Sequence, residues 1–148
     1  MSRSEVEKGA ARVADHLLCD VSLPALVIHR QALEHNIRWM QAFVTGSGGE
    51  LAPHGTTSMA PALFRRQMAQ GAWAMTLATA VQTRTAYAAG VRRVLMANQL
   101  VGRPNMALIT ELLDDPVFEF HCLVDHPDNV AALGAFFAER GQRLNVMI

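Results

Sequence analysis

The sequence predicts an α/β fold in which parallel strands alternate with helices, and three observations carry that prediction. Short apolar runs and amphipathic stretches follow one another at strand-to-strand spacings of about 20 to 27 residues. Glycines stand where the helical patterns stop, at Gly71, Gly90 and Gly141. The run Ala72 to Ala78, Ala-Trp-Ala-Met-Thr-Leu-Ala, is nearly continuously apolar, as a parallel strand covered on both faces requires.

The chain has 148 residues, 51% of them hydrophobic and 18% charged, with a formal net charge of 0. That is the profile of one globular domain with a sizeable core. Neutrality argues against a nucleic-acid partner, which needs a basic face. No run approaches the roughly 18 apolar residues of a membrane span. Met1 to Ala14 is charged and lacks the apolar segment of a secretory signal, so cytoplasmic is the default location. Cys19 and Cys122 lie far apart and form no Cys-x-x-Cys unit; in a cytosolic chain a bridge between them is not expected. No metal-ligand spacing of the His-x-x-x-His or Cys-x-x-Cys kind exists, so no metal site is expected.

Residues 1–22 read as a leader, with an amphipathic turn over Val6 to Leu18 and a solvated His16; 23–148 form the folded domain. Pro24 to His29 predicts a strand with proline at its first position. A helix follows from Gln31 to Phe43, with Leu33, Ile37, Met40 and Phe43 as its stripe and His35 and Asn36 off it. Thr45 to Gly49 is glycine-rich but follows a helix, so it is a C-terminal stop rather than a phosphate loop. Glu50 to His54 is a short strand that breaks at Gly55. Met59 to Gln70 has helical spacing, with Leu63, Phe64 and Met68 inside. Thr79 caps a helix to Ala89, and Val91 to Asn98 is the next strand. Pro104 to Leu113 is helical, Val117 to Val124 a strand, and Pro127 opens a helix to Arg140 that buries Val130, Leu133 and Phe136–Phe137. Leu144 to Ile148 is one more apolar strand. These make about six strands, too few for a closed eight-stranded barrel, which takes roughly 200 residues or more. The last is an exposed edge, and the chain looks cut short.

The chemistry-bearing stretch is Pro53-His54-Gly55-Thr56-Thr57-Ser58-Met59-Ala60-Pro61, polar residues between a strand end and a helix, where α/β folds place their sites. It resembles the segment of the D-threonine aldolase and D-serine dehydratase-like group of fold-type-III pyridoxal-phosphate enzymes, where Pro-His-Gly-Lys-Thr-Thr-Met-Ala-Pro is typical. Ala97-Asn98-Gln99-Leu100-Val101-Gly102 and the earlier Ala32, Leu33, Asn36 and Ile37 extend the resemblance over about Leu23 to Ile148. It implies a partial (β/α)8 TIM-type barrel of the alanine-racemase N-terminal kind, not closed, with about five barrel strands; the first strand, 24–29, would belong to a separate β domain. It also implies pyridoxal phosphate as cofactor, and a small-molecule amino acid as substrate if the chain is active. The family's Schiff-base lysine would stand at Thr56. A hydroxyl forms no imine, arginine cannot replace the amine, and the one lysine in the chain is Lys8. Thr56 is therefore expected to be non-functional as the catalytic group and the cofactor not to bind covalently, the mark of a pseudoenzyme. His54, Thr57, Asn98 and Gln99 are the candidate cofactor neighbours.

The bland alternatives are helix capping for Thr56, Thr57 and Ser58 and for the Asp125–His126 pair, and core packing for His121 and Cys122. Ser58 lacks the Gly-x-Ser-x-Gly elbow of a nucleophile. The other functional reading is a non-catalytic barrel relative that binds a phosphate-bearing ligand or pairs, as a homo- or hetero-oligomer, through the open edge.

Overall fold

The computed structural model describes Cys19 and residues 23–148. Apart from Cys19, the expected leader over 1–22 lies outside the described residues, with its Val6–Leu18 turn, Lys8 and His16. The described chain forms helix α1 (Arg30–Gly46), helix α2 (Pro61–Ala69), strand β1 (Met75–Leu77), helix α3 (Ala80–Ala88) and strand β2 (Arg93–Gln99). Helix α4 (Arg103–Leu113), strand β3 (Glu119–Leu123), helix α5 (Pro127–Ala138) and strand β4 (Asn145–Met147) complete it. The sheet has four strands in the order β1-β2-β3-β4, every pair parallel, and it does not close. The open parallel α/β architecture read from the sequence is the one observed.

Two of the expected strands are corrected. Residues 24–29 are extended but unpaired among the described residues, and Leu26, Val27 and Ile28 are exposed. A run of β-formers becomes a strand only when a neighbour accepts its hydrogen bonds. The expected strand over Glu50 to His54 shrinks to one parallel bridge, His54 to Thr76. Thr76 N–H donates to Pro53 O at 2.9 Å, and Gly55 N–H donates to Thr76 O at 2.8 Å. One rung further back the ladder needs an N–H from Pro53, which proline lacks. Trp73 N–H to Leu51 O (2.7 Å) and Thr76 Oγ1 to Ala52 O (2.8 Å) hold the segment beyond that gap.

Side-chain alternation divides the sheet into two faces. Met75, Leu77, Val94, Met96, Phe120 and Cys122 point to the helices and are buried. There they meet Phe64 of α2, Ala86 of α3, Met106 and Ile109 of α4, and Leu133, Phe136 and Phe137 of α5. Leu95, His121 and Leu123 alternate with them on the opposite face and are only half-buried. At the outer edge Val146 and Met147 are exposed. Val130 was expected inside but lies on the exposed side of α5.

Local signals explain the helix ends. Thr79 Oγ1 accepts from Gln82 N–H at 3.2 Å while Gln82 Oε1 accepts from Ala78 N–H at 2.9 Å, an exchange close to a capping box. Gly71, Gly90 and Gly141 take positive φ at the ends of α2, α3 and α5, the conformation that favours glycine. Helix α1 is the loosest element. None of its 17 residues is buried. The expected stripe is only partly covered, with Leu33 and Ile37 half-buried and Met40 and Phe43 exposed. A groove of about 390 Å³ separates α1 from Leu51, Pro53 and Ala72. Arg66 of α2 reaches Glu34 of α1 at 3.1 Å, an exposed pair that ties the helix down weakly.

Candidate functional site

Because the strands are parallel, the ends of the 51–54 segment, β1, β2 and β3 all face the same way. The polar residues that follow them form one rim. His54 is exposed at the bridge to Thr76. After it the chain turns through Thr56, Thr57 and Ser58 back towards α2, closed by Met59 N–H donating to Gly55 O at 2.9 Å. Thr56 is half-buried and Thr57 exposed.

Capping, the bland account of this turn, is corrected. Helix α2 begins at Pro61, and its N-cap is Ala60, without a side-chain cap bond. Pro61 holds Ala60 in an extended conformation and supplies a preset first helical residue. The three hydroxyl residues therefore sit in the turn itself, two to four residues before the cap. Met59 has φ of 42°, a left-handed conformation that costs a non-glycine residue about 1 kcal/mol or more.

Gly55 shows why this turn is tight. It is buried, and a Cβ there would lie 2.7 Å from Phe64 Cε1 and 2.8 Å from Met75 Sδ. The backbone thus passes directly over the core where the rim begins.

At the end of β2 the ladder slips. Met96 pairs with Cys122, yet Gln99 pairs with Leu123, leaving Ala97 and Asn98 as a bulge. Bulges re-aim side chains at sheet ends. Here Asn98 Nδ2 reaches Ala78 O at 3.4 Å and its Oδ1 accepts from Gln99 N–H at 3.0 Å. Gln99 Nε2 donates to Asp125 Oδ2 at 2.7 Å. Asp125 is thus a bridge between the ends of β2 and β3, a correction to the capping role expected for it. His126 does cap α5, its Nδ1 accepting from Asp128 N–H at 3.2 Å. Asn129 adds a further tie, Nδ2 to Leu100 O at 3.1 Å.

The structure thus brings His54, Thr56 and Thr57 to one end of the sheet with Asn98 and Gln99, with β1 between the two groups. The residues present do not fit a covalently held pyridoxal group: no lysine stands among the described residues, and the Thr56 hydroxyl cannot substitute.

His121 and Cys122 part company. Cys122 is fully buried against the helices, and burial pushes its thiol up to about 11. His121 faces the side away from the helices, tilted against Trp73 with ring centroids 5.2 Å apart. Beside them Arg93 makes two bonds to Glu119, at 2.6 and 2.7 Å, and lies 5.2 Å from the Trp73 ring centre. The Arg93 hydrogen bond holds the Glu119 carboxyl below its ordinary value. The sequence reading missed this cluster. The alternation Glu119, His121, Leu123 against Phe120, Cys122, Val124 was its available signal.

No family model matches the chain. Among curated proteins it is 27% identical over 131 residues to a D-threonine aldolase of Arthrobacter sp. It is 28% identical over 131 residues to the D-threo-3-hydroxyaspartate dehydratase of Delftia sp. (strain HT23). Each match takes in 88% of this chain and 34% of the relative, so the chain spans about a third of the length of the curated relatives it matches. Among solved structures, D-threonine aldolase from Filomicrobium marinum superposes with a TM-score of 0.80 at 26% identity, over 87% of this chain and 34% of that one. The Delftia sp. HT23 dehydratase gives 0.77 at 29%, over 89% and 34%. Sequence and fold together make the chain a homologue of D-threonine aldolase and D-threo-3-hydroxyaspartate dehydratase over the third of those enzymes that it shares.

Proposed function

We propose that this chain corresponds to the N-terminal portion of a pyridoxal-phosphate-dependent lyase or racemase-like enzyme acting on amino acids, and that as it stands it is inactive. Its homologues are pyridoxal-phosphate enzymes, which supports the cofactor class. The observation that carries the reading of inactivity is Thr56, half-buried in the turn that follows the His54–Thr76 bridge. It stands where the resemblance puts an amine. The bound cofactor supplies an electron sink next to the substrate's α-carbon. The chain's own part is a rim of hydroxyl and amide groups, Thr56, Thr57, Asn98 and Gln99, with His54 beside them, able to donate hydrogen bonds to an anionic group.

Mixing the chain with pyridoxal phosphate should give no internal-aldimine absorption at roughly 400–430 nm and no borohydride-stable adduct at residue 56. The Thr56→Lys variant should gain both. An adduct at residue 56 in the parent chain would overturn the reading, and its absence in the lysine variant would show that the rim is not a cofactor site. The open edge at β4 favours a second reading, a non-catalytic relative that pairs with another subunit. Sedimentation showing a monomer at all concentrations would count against it.

A further inference from the structure

We propose that His121 is a proton-sensitive tie on the face of the sheet opposite the helices, holding Trp73 and through it the 51–55 segment that leads into the Thr56 turn. The imidazole rests on the Trp73 indole at 5.2 Å between centroids, and its Nε2 is buried with no hydrogen-bond partner. Protonation makes both ring nitrogens donors, leaving a charged Nε2–H with nothing to receive it, which is costly at a buried site. The backbone beside the indole carries the link onward. Trp73 N–H holds Leu51 O at 2.7 Å, and the His54–Thr76 bridge follows three residues along. Loosening Trp73 therefore loosens the strand-like pairing on which the rim is mounted.

The charged groups around His121 act in opposite directions. Glu119, on its own strand, favours the imidazolium, and Arg93 of β2 opposes it. Glu119 already engages Arg93 in two hydrogen bonds, and its favourable effect on His121 offsets only part of the burial cost. Glu50 acts on Arg93 from the 51–54 side. From β4 the residue in register with His121 is Asn145, which is neutral. Burial is the largest influence and lowers the imidazole from the ordinary histidine value, Arg93 adding to it and Glu119 offsetting part. The sign follows: a histidine depressed in the folded chain binds its proton more readily when released. The tie is therefore complete above a pH of about 6.5 and weakens as pH falls below that value, until the folded-state value is passed.

The experiment uses the 148-residue chain with Trp39→Phe, which leaves Trp73 as the sole indole. Between pH 8 and 5 its emission should show one transition with a midpoint below about 6.5. Hydrogen exchange across the same range should show the amides of Trp73, Gly55 and Thr76 losing protection while those of Val94 and Phe120 keep theirs. His121→Phe keeps a ring against Trp73 and should abolish both pH dependences; His121→Gln serves if the phenylalanine variant does not fold. Glu119→Gln should move the midpoint lower still. A flat emission profile in the parent, a transition that survives in both His121 variants, or an imidazole titrating at or above the ordinary value by NMR would each overturn the proposal.

Discussion

Replacing Gly55 with alanine tests whether the rim turn is pinned by the core beneath it. The new Cβ would stand 2.7 Å from Phe64 Cε1, 3.1 Å from Phe64 Cζ and 2.8 Å from Met75 Sδ. Ordinary contact begins at 3.4 Å, so the Phe64 ring must retreat by about 0.7 Å. Phe64 and Met75 are both 0% exposed, so the shift must be taken up within the core. The φ of Gly55 lies outside the left-handed region, so the cost is steric rather than conformational. Overpacking of this kind costs about 1–3 kcal/mol. With a urea m-value of about 2 kcal/mol/M, the denaturation midpoint should fall by about 1 M. Phe64→Leu should relieve part of the clash, so the double variant should be more stable than the sum of the two singles by about 1 kcal/mol. A Gly55→Ala midpoint within about 0.2 M of the parent would refute the reasoning, because the turn would then be free to lift off the core.

Two further outcomes follow from groups away from the rim. Tyr87 Oη donates to Asp115 Oδ2 at 2.8 Å, with Arg92 3.6 Å from the same oxygen. The tyrosine hydrogen bond first, then the Val117 amide, holds the Asp115 carboxyl below its ordinary value. This carboxylate therefore contributes stability that is present above the ordinary aspartate range and is lost as pH falls through the depressed folded-state value. Tyr87→Phe should raise the Asp115 midpoint in an NMR titration and reduce this acid-range loss. The Cys122 thiol, pushed up to about 11 by burial, should stay unreactive towards a thiol reagent at pH 8 in the native chain, whereas the exposed Cys19 should react. Labelling of both cysteines at equal rates would contradict the burial of β3.

Features set by single residues were the ones the sequence made visible. Thr79 with Gln82 three residues on, Pro127 after His126, and the glycines ending α2, α3 and α5 act through their own backbone preferences. What depends on a partner was hidden. Pro24 to His29 carries good β-formers but meets no strand among the described residues. The 51–54 segment loses a rung because Pro53 has no N–H where Ala74 would need one. The rim residues His54, Thr56, Asn98 and Gln99 could be placed at strand ends by pattern alone. The bulge at Ala97–Asn98 could not, since register is a property of two chains of atoms and not one. By pattern Gly55 is the break in a strand; its neighbours Phe64 and Met75, nine and twenty residues away, make it a site of close approach.

The two unpaired residues at the end of β2 have a consequence for how this scaffold can change. Below them every rung from Arg93 to Met96 is matched with Glu119 to Cys122, and the pairing resumes at Gln99 with Leu123. Positions 97 and 98 are slack in an otherwise taut weave. Substitutions there, or the loss of one residue, can redraw the mouth of the sheet while the stitches underneath keep their places, so novelty at the surface need not be purchased with a misthreaded core.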